Sequence, residues 1–373
     1  MEKKRINAID GMKGINALII ACVYHLATVP FEYLNGIPGG NIKPLGWIYQ
    51  NGYIFVESFF LCSGYLAFWH YTSQIEKGMS FESFMQRRIV RIFPLMWATL
   101  FTAVAGELLY YNLHAKSFWF SGGNTANSIY TLFLNILGLQ TFFPLGNSWN
   151  YPAWTLSVFF ICWGIYYLIT NRCKTDRGRI YACAGMVILG ITLQNNLTFL
   201  AIPFLNGAAA RGYISFFMGG LVFYLNRHLN EKKRHMAGWF SFCWLLVCIM
   251  LYMNGITCEP FQTTMSIAVW PFVLLTILNI PVLNKIMSLK PFLLLGKISF
   301  SIYLCNYSVE IFTVILNEAF NWNIDFSSGL FFFGNIVVQI GIASLFYYFF
   351  EKRLSQIWKN ALNGKKEQKA ENC

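Results

Sequence analysis

Charge is what this sequence has least of. Only 12% of its 373 residues are Asp, Glu, Lys or Arg, against about 25% in a water-soluble domain. With 56% hydrophobic and 18% aromatic residues, the chain is excluded from that class. No CxxC, HExxH, P-loop or GxGxxG pattern occurs, so no motif argues for a metal site or a nucleotide fold. Internal repeats and long linkers are also missing. Ten cysteines are present, but Cys22, Cys62, Cys162, Cys183, Cys243, Cys248 and Cys305 sit in apolar stretches. A disulfide framework needs pairs in an oxidising compartment, and none is expected here.

Apolar stretches of spanning length, roughly 17–25 residues, run from end to end. Ten are predicted: 14–32, 50–71, 91–112, 153–170, 180–196, 210–226, 237–254, 263–284, 291–316 and 328–350. The loops between them differ sharply in charge. Twenty-five of the 28 basic residues fall on one side, and only Lys43, Lys116 and Arg211 on the other. Cytoplasmic loops are the Lys/Arg-rich ones, so both termini are assigned to the cytoplasm. Counting 127–143 as a further span would move the basic 171–179 loop outside, so it is expected to be a re-entrant or interfacial helix. The first span has a basic start but no small-residue cleavage site, and it reads as a retained helix. The expectation is an all-α polytopic bundle, one membrane domain over 1–355, followed by a basic cytoplasmic tail over 356–373. Positive charge dispersed over six short segments orients a membrane protein and argues against a nucleic-acid surface.

A charge near the bilayer centre costs about 2.5–3.5 kcal/mol even on lenient scales, so each marks a functional candidate. His25, Glu57, Arg88, Arg91, Glu107, Arg211 and Glu310 qualify. His25 and Glu57 are each expected about 10 Å from the outer face on successive helices. A carboxylate beside an imidazole raises its basicity and fixes its tautomer, as a general base needs. A histidine there also serves simply to tie helices together. Arg88 and Arg91, three residues apart at a cytoplasmic helix start, suit the phosphates of a ligand, or snorkel to lipid headgroups. Arg211 is expected to pair with Glu107 or Glu310, or to hold an acidic acceptor. The outer aromatic residues Phe118, Trp119, Trp149, Tyr151 and Trp154 suit interfacial anchoring or stacking on sugars.

Several segments then form a series. IDGMKGINALIIACVYH resembles the IDxLRGIAALxVxxYH opening of the acyltransferase-3 family, with His25 at its essential histidine. GYIFVESFFLCSGYLAF is similar to GxxxVDxFFxxSGFL, placing Glu57 at the acidic position and Ser63-Gly64 at the Ser-Gly pair. FMQRRIVRIFPLMW resembles FxxxRxxRIxPxYW, with Arg88 and Arg91 as the paired arginines, and NYPAWTLSVFF resembles NxPxWSLSxE, with Trp154 and Ser157. RGYISFFMGGLVFYL, LGKISFSIYLCN and YYFFEKRL follow in order. Three departures stand out. Phe159 replaces the motif's glutamate, Asn306 stands where the late motif often has His, and Lys13-x11-His25 replaces an Arg-x10-His spacing. Twelve helical steps of about 100° miss the starting face by about 120°, which sets Lys13 apart.

The resemblance implies a ten-span enzyme that takes an acyl group from acetyl-CoA or another acyl-CoA in the cytoplasm. The acceptor would be a hydroxyl of a cell-surface or lipid-linked glycan. His25 would act as base with Glu57 supporting it, Arg88, Arg91 and Lys13 would hold the donor, and Ser63, Trp154, Ser157 and Arg211 would line the acceptor side. No permanently bound cofactor, metal or nucleic acid is implied. The expected location is a bacterial plasma membrane, in contact with lipids, and a homodimer is left open. The rival reading is an exporter or flippase of acidic metabolites or glycan intermediates, its intramembrane charges lining a pathway, although no halved inverted repeat of the transporter kind is visible.

Overall fold

The computed structural model of the chain describes residues 5–25, 43–118, 127–143, 148–196, 202–358 and 360. The outer-loop Trp119, the side chain of Lys43 and the basic tail beyond 360 lie outside the described residues. Every described regular element is helical. Helix α1 (Asn7–Ile19) continues into a π-helical turn, Ile20–Tyr24. Helix α2 (Lys43–Asn51) leads through a 3₁₀ turn, Gly52–Ile54, into α3 (Phe55–Glu76). Then come α4 (Phe81–His114), α5 (Ile129–Leu137), α6 (Trp154–Arg172), α7 (Asp176–Asn196), α8 (Gly207–His228) and α9 (Glu231–Met253). The last group is α10 (Phe261–Thr264), α11 (Trp270–Asn279), α12 (Pro281–Met287), α13 (Lys290–Ala319) and α14 (Gly329–Phe346).

Helices occupy all ten expected spans, yet only 8 described segments are long and apolar enough to cross a membrane by length and composition. The other two are α1, which carries Asp10, Lys13 and Asn16, and α7, which opens on Asp176, Arg177 and Arg179. The first helix also begins at Asn7, seven residues before the expected start, and His25 is its last described residue. Segment 127–143 contains only the 9-residue α5, about 13 Å long and too short to cross. A capping box between Ser128 and Thr131 starts it, and Gly138 at φ 70° ends it. Ile129, Tyr130 and Phe133 on its surface are exposed, as a re-entrant or interfacial helix requires.

Helix α13 is the hub. Its apolar window is 83% buried, against 11% for α9 and 17% for α14, which form the lipid-facing rim. Helix α1 packs along α13, and α3 packs along α8. Glycines set both approaches. A Cβ on Gly296 would lie 2.1 Å from the Asp10 carbonyl oxygen, and one on Gly64 would lie 1.9 Å from that of Phe216. Where lipid removes the hydrophobic incentive for association, such small-residue contacts let backbones pack closely. Helix α1 is thereby fixed against α13, and α3 against α8.

Candidate active site

His25 meets α13 at a buried polar contact. The imidazole follows the π-helical turn and is 4% exposed. Its Nδ1 meets the side-chain amide nitrogen of Asn306 on α13. The π turn has a consequence for spacing. It holds one residue more than an α turn, so it takes up the extra residue of Lys13-x11-His25 and returns His25 toward the face that an x10 spacing gives.

Glu57, in the first turn of α3, is fully buried. The 3₁₀ turn before it brings Gly52 against Tyr24, the residue next to His25, so the two segments adjoin as expected. The recorded partners of Glu57 are nevertheless Arg211 Nε at 2.6 Å and Gln262 Nε2 at 2.6 Å, both donating to Oε1. Arg211 therefore pairs with Glu57 and not with Glu107 or Glu310. The reason is topological: α8 packs along α3, which brings Arg211 to the first turn of α3. Its guanidinium also lies 4.6 Å from the ring of Trp154, and it donates to the Tyr53 carbonyl at 3.2 Å. Glu107 is occupied elsewhere, accepting from Ser117 at 2.9 Å and meeting Tyr307.

Several buried acceptors on these segments lack donors. Glu57 Oε2, Asn150 Oδ1, Asn306 Oδ1 and both carboxylate oxygens of Glu310 are buried without a hydrogen-bond partner among the described residues. Asn150 cannot turn its amide over, because its nitrogen faces the Leu304 carbonyl at 3.3 Å and Thr99 Oγ1 at 3.1 Å. Glu310 lies one helical turn beyond Asn306, about 6 Å further along α13, and is 4% exposed.

The other expected site residues separate. Of the four assigned to the acceptor side, Trp154 and Arg211 stand together beside Glu57. Ser63 instead accepts from Trp163 Nε1 at 3.2 Å, one α3 turn and a half closer to the basic face. Ser157 is fully buried, with Oγ 2.8 Å from the Gly138 carbonyl oxygen and 2.7 Å from Gln140 Oε1. It pins the turn after α5. Arg88 and Arg91 do not form a joint fork. Arg88 is buried beneath aromatic rings, 3.6 Å from Phe84, 4.3 Å from Tyr71 and 5.0 Å from Trp163. Arg91 is exposed and 3.8 Å from Glu351. Lys13 contacts Asp10 at 3.1 Å, which Arg5 also engages. Phe159, in place of the motif's glutamate, lies 4.6 Å from Phe60 and stacks on Trp163 at 5.3 Å, so an apolar wall fills that position.

Sequence reasoning missed Asn150 and Gln262, for which it offers no signal, and it passed over Asn306 as a mere departure from a motif. Glu310 was visible as an intramembrane charge and was offered with Glu107 as a partner for Arg211, which pairs with Glu57 instead.

The chain is 24% identical over 393 aligned positions to YrhL of Bacillus subtilis (strain 168), named provisionally as a peptidoglycan O-acetyltransferase. That alignment covers 92% of this chain and 54% of YrhL, so the chain spans about half the length of that relative. It is also 24% identical to ORF330 of Acidianus two-tailed virus, named provisionally as an acetyltransferase, over 83% of this chain and 85% of that one. No solved structure matches. The acyltransferase-domain family model matches residues 6–349, nearly the whole chain, and this protein belongs to the acyltransferase-3 family.

Proposed function

We propose that the protein is an integral membrane O-acyltransferase that moves an acetyl group from acetyl-CoA to a hydroxyl of a cell-surface glycan, in a bacterial plasma membrane. The observation that carries this reading is a set of buried acceptor atoms without donors among the described residues, Glu57 Oε2, Asn150 Oδ1 and both Glu310 oxygens, on segments that flank the His25–Asn306 contact. Leaving such atoms unpaired costs about 1–3 kcal/mol each, which a polyhydroxylated acceptor recovers by donating its O–H groups. An acidic metabolite brings further acceptors, which weighs against an exporter of such metabolites; an exporter of glycan intermediates offers the same O–H groups and is distinguished by acetyl transfer. The relative named for peptidoglycan acetylation is in keeping with a glycan acceptor.

In the reaction, His25 takes the proton of the acceptor hydroxyl as its oxygen attacks the thioester carbonyl. The C–S bond then breaks, and the CoA thiolate recovers the proton from the imidazolium. For Nε2 to be the base, Nδ1 must carry the ring proton and donate it to Asn306 Oδ1; turning over the Asn306 amide provides that partner. Asn306 thus takes the orienting role first expected of Glu57. Glu57 keeps Arg211 beside Trp154. Arg88, Arg91 and Lys13 supply the positive potential that draws a polyanionic donor to the basic face, and Arg88 lacks a carboxylate partner among the described residues.

The test is transfer of labelled acetyl from acetyl-CoA in membranes carrying His25→Ala. General-base loss predicts a fall of about 10²–10⁴-fold at unchanged amounts of folded protein. Undiminished transfer removes His25 from the mechanism.

A further inference from the structure

A cavity of about 1060 Å³ opens on the basic face, between the inner ends of α3, α8, α9, α11 and α12. Sites for small molecules and cofactors run to about 300–1,000 Å³, so this one has room for a nucleotide. Its wall and its rim differ in chemistry. Trp69 is the half-buried aromatic side chain of the wall, with Tyr65, Phe68 and Phe223 buried behind it, and an aromatic ring in such a wall stacks on a nucleobase. The rim carries Arg227, Lys232 and Arg234. Arg234 Nε donates to the Asn226 carbonyl at 2.7 Å, which holds the guanidinium at the mouth. Of the two rim carboxylates, Glu76 already accepts from Arg179 at 2.6 Å, which leaves Glu231. Arg227 is shared with Asp176 at 3.5 Å.

Two wall amides hold a buried atom with no hydrogen-bond partner among the described residues. Asn226 Oδ1 is an acceptor, and Asn279 Nδ2 is a donor. A planar ligand with a donor and an acceptor on one edge answers both, as adenine does through its N6 amino group and N7. Phosphates then fall to the cationic rim, where charge-assisted bonds are strongest. We infer that this cavity receives the phosphorylated adenosine end of the acyl-CoA donor. The inference rests on the O-acyltransferase reading above and gives that donor its nucleotide site. Tyr65 lies eight residues from Glu57 along α3, about 12 Å, and the pantetheine arm bridges that length. Arg88 packs on Tyr71, on another face of α3 from the one that Tyr65, Trp69 and Thr72 present to the cavity.

The test uses the full chain in detergent free of anionic lipid, titrated with coenzyme A and with adenosine 3′,5′-bisphosphate. Lys232→Glu and Arg234→Glu, both on the exposed rim, are expected to weaken both ligands by about tenfold or more, as loss of one charge-assisted contact does. The KM for acetyl-CoA rises equally, whereas the KM for S-acetyl-pantetheine, which lacks the nucleotide, stays constant. Unchanged coenzyme A binding in both variants overturns the assignment, as does a wild type that binds neither ligand. If Arg88→Ala alone weakens adenosine 3′,5′-bisphosphate, the nucleotide sits at Arg88 and the cavity is not its site. If charge reversal strips co-purified anionic lipid and spares coenzyme A, the rim is a headgroup site and the inference falls. A wild type that binds coenzyme A through this rim but transfers no acetyl keeps the cavity and removes the transferase reading.

Discussion

His25 and Asn306 meet although 281 positions separate them in sequence, and the chemistry of the imidazole depends on which face of that amide it sees. Asn306→Leu removes the partner of Nδ1 and leaves the ring free to take the wrong tautomer. One hydrogen bond to a group that becomes charged is worth about 1.5–3 kcal/mol, so transfer is expected to fall roughly 10–100-fold. Asn306→His restores a ring partner at the position where the family motif often has one, and is expected to keep more activity than Asn306→Leu. Equal rates for the leucine variant and the wild type would show that Asn306 does not orient the base. Arg211 gives a stability counterpart. Arg211→Ala leaves the Glu57 carboxylate buried with only Gln262 on Oε1, and breaking such a pair costs about 3–5 kcal/mol. The expected result is a lower unfolding temperature in detergent, with partial recovery in the Arg211→Ala/Glu57→Gln double variant.

Among the elements, α1 and α3 carry the site and are held by backbone contact. The short distances at Gly64 and Gly219 are reciprocal, since a Cβ on Gly219 would lie 2.1 Å from the Leu61 carbonyl oxygen. Gly64→Val forces α3 and α8 apart, and overpacking of this kind costs about 1–3 kcal/mol. Gly185→Val on α7, where nothing lies within 4 Å, is the matched control and should leave the unfolding temperature unmoved. The π-helical turn at Ile20–Tyr24 is the other decisive feature. Spacing alone set Lys13 and His25 on different faces, because counting residues assumes a uniform α-helix. Only the wide turn shows how one extra residue is absorbed next to the site.

At the scale of the whole molecule, topology is the property most open to measurement. Cys258 follows α9 and is exposed, while Cys173 lies between α6 and α7. A membrane-impermeant maleimide on intact cells should label Cys258, and should reach Cys173 only after permeabilisation; the opposite pattern would invert the charge-based orientation. The sequence by itself determined that the chain is a helical membrane protein, how its basic loops alternate, and that His25, Glu57 and Arg211 are costly charges needing partners. These follow from composition and from order along the chain, because desolvation and the positive-inside bias act on each segment separately. Tertiary structure decided which partners they take: Arg211 with Glu57, His25 with Asn306, and Ser157 with the turn after α5. Those pairings depend on which helix faces meet, set here by glycine contacts hundreds of residues apart in some cases and by a single π turn. No local pattern encodes such a register.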